Sequence, residues 1–251
     1  MRRGTGSALL AATLVSSAPL QAAEARKPDP AGPVRLYLQA AFAAGSGAFR
    51  ETRPFTEFAE TGHIDSRYTD DSGPGLEAGL LWRFARRLGV MGAVSAMRRT
   101  EAGSFSADLP HPLFFCAPRL VSGDFSGRRE RETAVHLDLA LLAGSGRLQW
   151  IAFAGPSLVG VQADLVRAVE YAQSYPYDTV TVTGTPFASG RGRALGFNVG
   201  VGLDCQLARH VALATHGRWS RATVHLDAAP DDRVAVTAGG LHLAAGLRLD
   251  F

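Results

Sequence analysis

Residues 239–251, GGLHLAAGLRLDF, alternate without a break. Leu241, Leu243, Ala245, Leu247, Leu249 and Phe251 share one parity, and His242, Ala244, Gly246, Arg248 and Asp250 share the other. A period of two sends successive side chains to opposite faces, so the run predicts a strand with one apolar face. Residues 34–44 repeat it, with Val34, Leu36, Leu38, Ala40 and Phe42 against Arg35, Tyr37, Gln39 and Ala41. Further along, Leu76 to Phe84 oppose Glu77, Gly79 and Arg83, while Val135, Leu137, Leu139 and Leu141 oppose His136 and Asp138. In 195–207 the apolar set Leu195 to Leu207 opposes Gly196, Asn198, Gly200, Gly202, Asp204 and Gln206; in 211–222 Val211, Leu213 and Trp219 oppose His216 and Arg218. Segments 88–97 and 148–161 are apolar on both parities and leave their register open.

These patterns predict eight strands, about 34–44, 75–84, 88–107, 124–143, 148–170, 179–207, 211–226 and 233–251. Short turns, ARR (85–87), GSGR (144–147) and ARH (208–210), follow strands two, four and six. Longer segments, 45–74, 108–123 and 171–178, follow strands one, three and five and are expected to be loops, with a protruding hairpin near the TVTVT run (179–183). Tight turns therefore gather at one end of the sheet and long connections at the other.

The polar parity holds many Gly and Ala residues and charges of both signs, which suits the narrow interior of an eight-stranded barrel. The leucine face then looks outward, where only lipid accommodates it. Closure also pairs every backbone N–H and C=O, which hydrocarbon requires. An inward network is expected from Arg35, Tyr37, Glu77, Arg83, His136, Asp138, Asn198, Asp204, His216, Arg218, His242, Arg248 and Asp250. Among these, Arg35, Arg83, Arg218 and Arg248 stand against Glu77, Asp138, Asp204 and Asp250, because buried charges need partners. Outward aromatics Trp82, Phe84, Trp150, Phe197, Trp219 and Phe251 are expected at the apolar belt and its edges.

Composition adds three constraints. Residues 1–25 open with Arg2 and Arg3, continue into an apolar run and end on small residues Ala23 and Ala25, the pattern of a cleaved secretory signal. The expected organisation is thus signal 1–25, short segment 26–33 and barrel 34–251. A formal charge of +3 over 251 residues gives no electrostatic case for nucleic acid. Cys116 and Cys205 fall toward opposite ends of the expected barrel, too far apart for a bridge.

The terminal pattern Leu243, Leu247, Leu249 and Phe251, with the alternating strands before it, resembles the small eight-stranded outer-membrane β-barrel proteins of Gram-negative bacteria, the outer membrane protein A, X and W types. That resemblance implies an all-β, antiparallel up-and-down transmembrane barrel with periplasmic termini. It also implies that the last strand, ending at Phe251, serves as a signal for the barrel assembly machinery. Lipid and lipopolysaccharide are the implied surroundings, and no cofactor follows.

Chemistry is sparse. His136, His216 and His242 read as hydrogen-bonded lumen fillers rather than metal ligands, since their strand heights differ. No serine is apparent beside a strand histidine, so a nucleophile–base pair is not expected and the chain reads as non-enzymatic. Loop residues His63, Asp65, Ser66, His111 and Ser122 offer such a set only if the loops fold together. The leading expectation is a structural or surface-interaction barrel acting through aromatic-rich extracellular segments, with an unidentified loop partner. A narrow solute conduit, a lipid A-modifying enzyme and a soluble lipocalin-like binder are the alternatives.

Overall fold

A computed structural model describes residues 32–44, 48–229 and 232–251. The expected signal 1–25 and the segment after it as far as residue 31 lie outside the described residues. Eight strands form a closed antiparallel ring: β1 (Val34–Ala43), β4 (Gly73–Arg83), β5 (Leu88–Leu109), β6 (Arg119–Ser145), β7 (Leu148–Val166), β10 (Phe187–Ala208), β11 (Val211–Ala229) and β12 (Asp232–Asp250). Pairing of β1 with β12, Leu38 opposite Leu247 and Phe42 opposite Leu243, shuts the ring. The turns 84–87, 146–147 and 209–210 are tight as predicted, with Gly146 at positive φ in the second and Gly144 at positive φ in the strand end before it.

Two expectations fail at the opposite end. Segment 45–74 is not a loop: β2 (Ala48–Glu57) and β3 (Glu60–Asp70) form a hairpin that extends the wall, β3 pairing with β5 above the stretch that β4 covers. Its inner parity mixes Phe49 and Phe55 with Glu51, Arg53 and Glu57, which hides the two-residue period from a hydropathy reading. Segment 179–183 does not belong to the sixth long strand either. It contributes to β9 (Val180–Gly184), which pairs with β8 (Glu170–Gln173) as a separate two-stranded sheet, and β10 begins only at Phe187. The loop expected at 108–123 shrinks to 110–118, since β5 and β6 pair as far as Leu109 and Arg119.

The open registers are fixed: His136 stands opposite Ala93 on β5 and Ser157 on β7. Both parities look apolar there because Met91, Met97, Ile151 and Phe153 fill the interior while Val94, Trp150 and Leu158 face out.

Along each long strand parity is constant but hydropathy inverts. On β12, outward Leu241, Leu243 and Leu247 are exposed, and inward His242, Arg248 and Asp250 are buried. Higher on the same strand the inward residues are Val234, Val236 and Ala238, and the outward ones include Arg233 and Thr237. β11 switches between Trp219 and Arg221, β10 between Leu195 and Arg193, β6 between Val135 and Arg131, and β5 between Ala96 and Arg98. The lower wall is therefore apolar outside and polar inside; the upper wall is built like a water-soluble protein around Tyr68, Phe105, Phe125, Val161, Leu165, Val224 and Leu226. From Leu241 to Phe251, ten residues at about 3.4 Å rise and about 40° tilt span about 26 Å, matching the ~25 Å apolar band of membrane barrels.

Candidate functional site

The lumen of the lower wall is packed with polar side chains in three layers. Nearest the tight turns, Arg248 donates to Asp204 at 2.7 Å and Asp250 at 2.8 Å, and also to Gln206. Arg35 lies 3.6 Å from Asp250 and donates to Gln149, while the Tyr37 hydroxyl donates to Asp204 at 3.1 Å. Arg83, half-buried at the rim, donates to the Gly32 carbonyl at 2.9 Å.

In the middle layer Arg218 is central and wholly buried. Its guanidinium reaches Glu77 at 2.9 Å, Asp138 at 3.1 Å and the Asn198 side-chain carbonyl at 3.0 Å, and it lies over the Phe153 ring. Asn198 donates to Asp138 at 2.7 Å and to the Ser157 hydroxyl at 2.9 Å. His216 meets Glu77 at 3.3 Å and packs edge-on to Phe153. The upper layer centres on Arg99, 3.4 Å from Glu132 and 3.2 Å from the His242 ring, and donating to the Gly239 carbonyl at 3.0 Å.

All thirteen residues expected in the lumen lie on the inward parity, Arg83 and His216 only half-buried. Arg99, Glu130 and Glu132 join them, beyond the set expected from the sequence. They lie on the same parities as Ser95 and His136, so the signal was present once the β5 and β6 registers were known. The outward set Trp82, Phe84, Trp150, Phe197, Trp219 and Phe251 is exposed on the belt. Trp82, Phe84, Trp150 and Phe251 sit by the tight-turn end, whereas Phe197 and Trp219 pack together just below the inversion.

One sequence expectation is corrected. A serine does stand beside a histidine: Ser157 lies 2.8 Å from His136 Nδ1, and Ser95 lies 3.3 Å from Nε2. Cross-strand register makes this pair, and adjacency along the chain does not reveal it. All three residues are buried, and none borders the lumen space lined by Tyr37, Glu77, Phe153 and His216, which is about 10 Å³, room for about one water. Cys116 and Cys205 are unbridged, and among the described residues no set of His, Cys, Asp and Glu is arranged to hold a metal.

Larger spaces lie outside the lumen. A groove of about 780 Å³ runs across the upper β2–β3–β5–β6 sheet, lined by Arg50, Asp65, Arg67, Ser104, Ser122 and Asp124. Above it the hairpin ends are tied together: Tyr171 donates to Glu57 at 2.7 Å, the Cys116 amide to Glu60 at 2.6 Å, and Arg119 to the Pro110 and Tyr177 carbonyls at 2.7 and 3.0 Å. Burial, then the Glu57 carboxylate beside it, pushes the Tyr171 phenol up to about 12. His111 accepts from the amides of Leu113 and Phe114, fixing a turn from which Leu113, Phe114 and Phe115 stand into solvent. Of the histidine, acid and serine residues read as loop residues, His63, Asp65, Ser66 and Ser122 belong to strands, and Ser66 is buried.

A closed eight-strand ring, an apolar outer belt and a compensated polar interior define the transmembrane β-barrel class of small outer-membrane proteins. Among solved structures, the outer membrane protein OprG from Pseudomonas aeruginosa is similar, with TM-score 0.51 and 10% identity, over 88% of this chain and 97% of that one. Neisserial surface protein A matches with TM-score 0.46 and 13% identity over 88% and 99% of the chains. Ail, the attachment invasion locus protein of Yersinia pestis, matches with TM-score 0.40 and 11% identity over 87% and 99%. No protein-family model matches the chain, and no curated protein matches it by sequence.

Proposed function

We propose that this chain is an outer-membrane barrel whose work is done on its outer and distal surfaces, with no conduction through the lumen and no catalysis within it. The tight turns and termini face the periplasm, and the groove and tied hairpin ends face outward from the cell. One observation carries the reading: among the described residues the interior holds ion-paired layers below and the Tyr68–Phe125–Leu226 cluster above. The void beside Tyr37 is about 10 Å³, whereas the outer groove is about 780 Å³. The exposed belt, with Leu137 at 57% and Leu243 at 55%, supports a lipid setting over a soluble binder.

The Ser157–His136 contact is the feature that favours a hydrolase. Burial of both groups within the wall-lined lumen argues for a structural hydrogen bond instead. The test is planar-bilayer recording of the folded full chain. No steady ohmic current is expected at physiological salt, and a reproducible open level would favour the conduit and overturn the reading.

A further inference from the structure

We propose that the groove across the outward face of β2, β3, β5 and β6 binds short peptides with free termini. An arginine pair at one end holds the α-carboxylate, and Asp124 at the other holds the α-ammonium. The proposal deepens the reading that the outer surface is the working surface, and rests on it. Two rows of side chains cross the four strands. Arg50 stands opposite Arg67, Arg67 opposite Ser104, and Ser104 opposite Asp124. One pleat further from the belt, Thr52, Asp65, Ser106 and Ser122 follow in the same strand order. The three serines are too short to fill the middle, which leaves about 780 Å³, the size of a small-ligand site. Among the described residues Arg50, Arg67 and Asp124 have no ion-pair or side-chain hydrogen-bond partner, and all three are exposed. Asp65, by contrast, accepts from the Thr52 hydroxyl at 2.5 Å. Guanidiniums directly across a ladder repel. A carboxylate held between them removes that repulsion and matches their fork.

Spacing and sign select the ligand. Paired strands lie about 4.8 Å apart, so Arg67 and Asp124, two strands apart, are separated by about 10 Å. An extended chain of about three residues has the same length. The outward charges of the groove, Arg50, Arg67, Asp65 and Asp124, balance, so a simple anion or cation gains less here than a ligand carrying both signs. Serine hydroxyls both donate and accept, which suits the N–H and C=O groups of a peptide lying across them. Phe105, the ring among the lining residues, is buried on the inner face, so the groove offers no aromatic platform for a sugar or a base. Beneath the sheet Phe49 stacks on Tyr68 at 4.4 Å, and Phe105 and Phe125 are buried. The rows are therefore held in register before a ligand arrives.

The test is saturation-transfer NMR on the folded full chain in non-ionic detergent micelles, with trialanine as the probe. Trialanine is compared with N-acetyl-trialanine, with trialanine amide and with free alanine, which is too short to reach both ends. Each blocked peptide is expected to bind about fivefold more weakly than trialanine, and alanine more weakly still. The variants tie each terminus to its residue. In R50Q/R67Q trialanine and its amide are expected to bind alike, while the N-acetyl form stays weaker. In D124N the N-acetyl form is expected to match trialanine, while the amide stays weaker. R147Q, a turn residue at the far end, is expected to keep the full pattern. If a variant does not fold, the four ligands on the unaltered chain decide the matter. No saturable binding of trialanine up to about 10 mM, equal affinity for free and blocked peptides, or discrimination that survives in both variants overturns the proposal. A steady bilayer current overturns the closed lumen instead, so the two readings fall separately.

Discussion

Arg218 shows why the interior is specified residue by residue. It is wholly buried, and its one positive charge lies against Glu77 and Asp138. Removing one partner of a buried ion pair leaves the other charge uncompensated, at a cost of about 3–5 kcal/mol. Arg218→Met keeps the volume and removes the charge, so urea unfolding followed by tryptophan fluorescence is expected to register a loss of that size. Tyr171 is the residue-scale handle at the other end. Its neutral phenol donates to Glu57, and its pKa is raised from the ordinary 10 to about 12. A raised folded pKa means that stabilisation of the tied hairpins is complete below about pH 10 and fades as pH climbs through about 12. Burial also raises the Tyr68 phenol, so absorbance titration at 295 nm is expected to show more than one late ionisation, and Tyr171→Phe to remove the step near pH 12.

At the scale of the strand, depth decides what a charge costs. Leu137 and Arg131 lie on the same outward parity of β6, three turns of the pleat apart, on opposite sides of the hydropathy inversion. Leu137→Arg is expected to cost about 2–4 kcal/mol in lipid bilayers and Thr133→Arg about 0–1 kcal/mol, measured by equilibrium unfolding from vesicles. The lower strands were legible in the sequence because Leu against Gly, His, Arg and Asp makes a clean period of two. β2 and β3 were not, because Phe49 and Glu51 share an inner face and the run carries no single hydropathy sign. The inversion itself is written at Gly240–Leu241 and Arg221, but it reads as noise until parity is held fixed along a strand twenty residues long. The Ser157–His136 contact was illegible for another reason: it depends on the register of β7 against β6, and β7 is apolar on both faces.

For the whole molecule, the proposed closure makes the two halves of the interior seals in series. The lower seal is electrostatic, three layers joined by Arg35, Arg99, Arg218 and Arg248; the upper one is aromatic and aliphatic, centred on Tyr68 and Phe125. Ionic resistance in series is set by the tighter element, so widening either seal alone leaves the other closed. Tyr37→Ala with Arg248→Ala removes the bulk of the lowest layer, and Tyr68→Ala with Phe125→Ala hollows the upper cluster. Each pair alone is expected to keep the bilayer silent, and so is the four-residue variant, since the Arg218 and Arg99 layers still close the middle of the lumen; heat-modifiable gel mobility confirms that each variant is a folded barrel. An eight-stranded wall encloses little more than its own side chains, so those two layers suffice to hold the closure. A current from either pair alone breaks the series picture and assigns closure to one end.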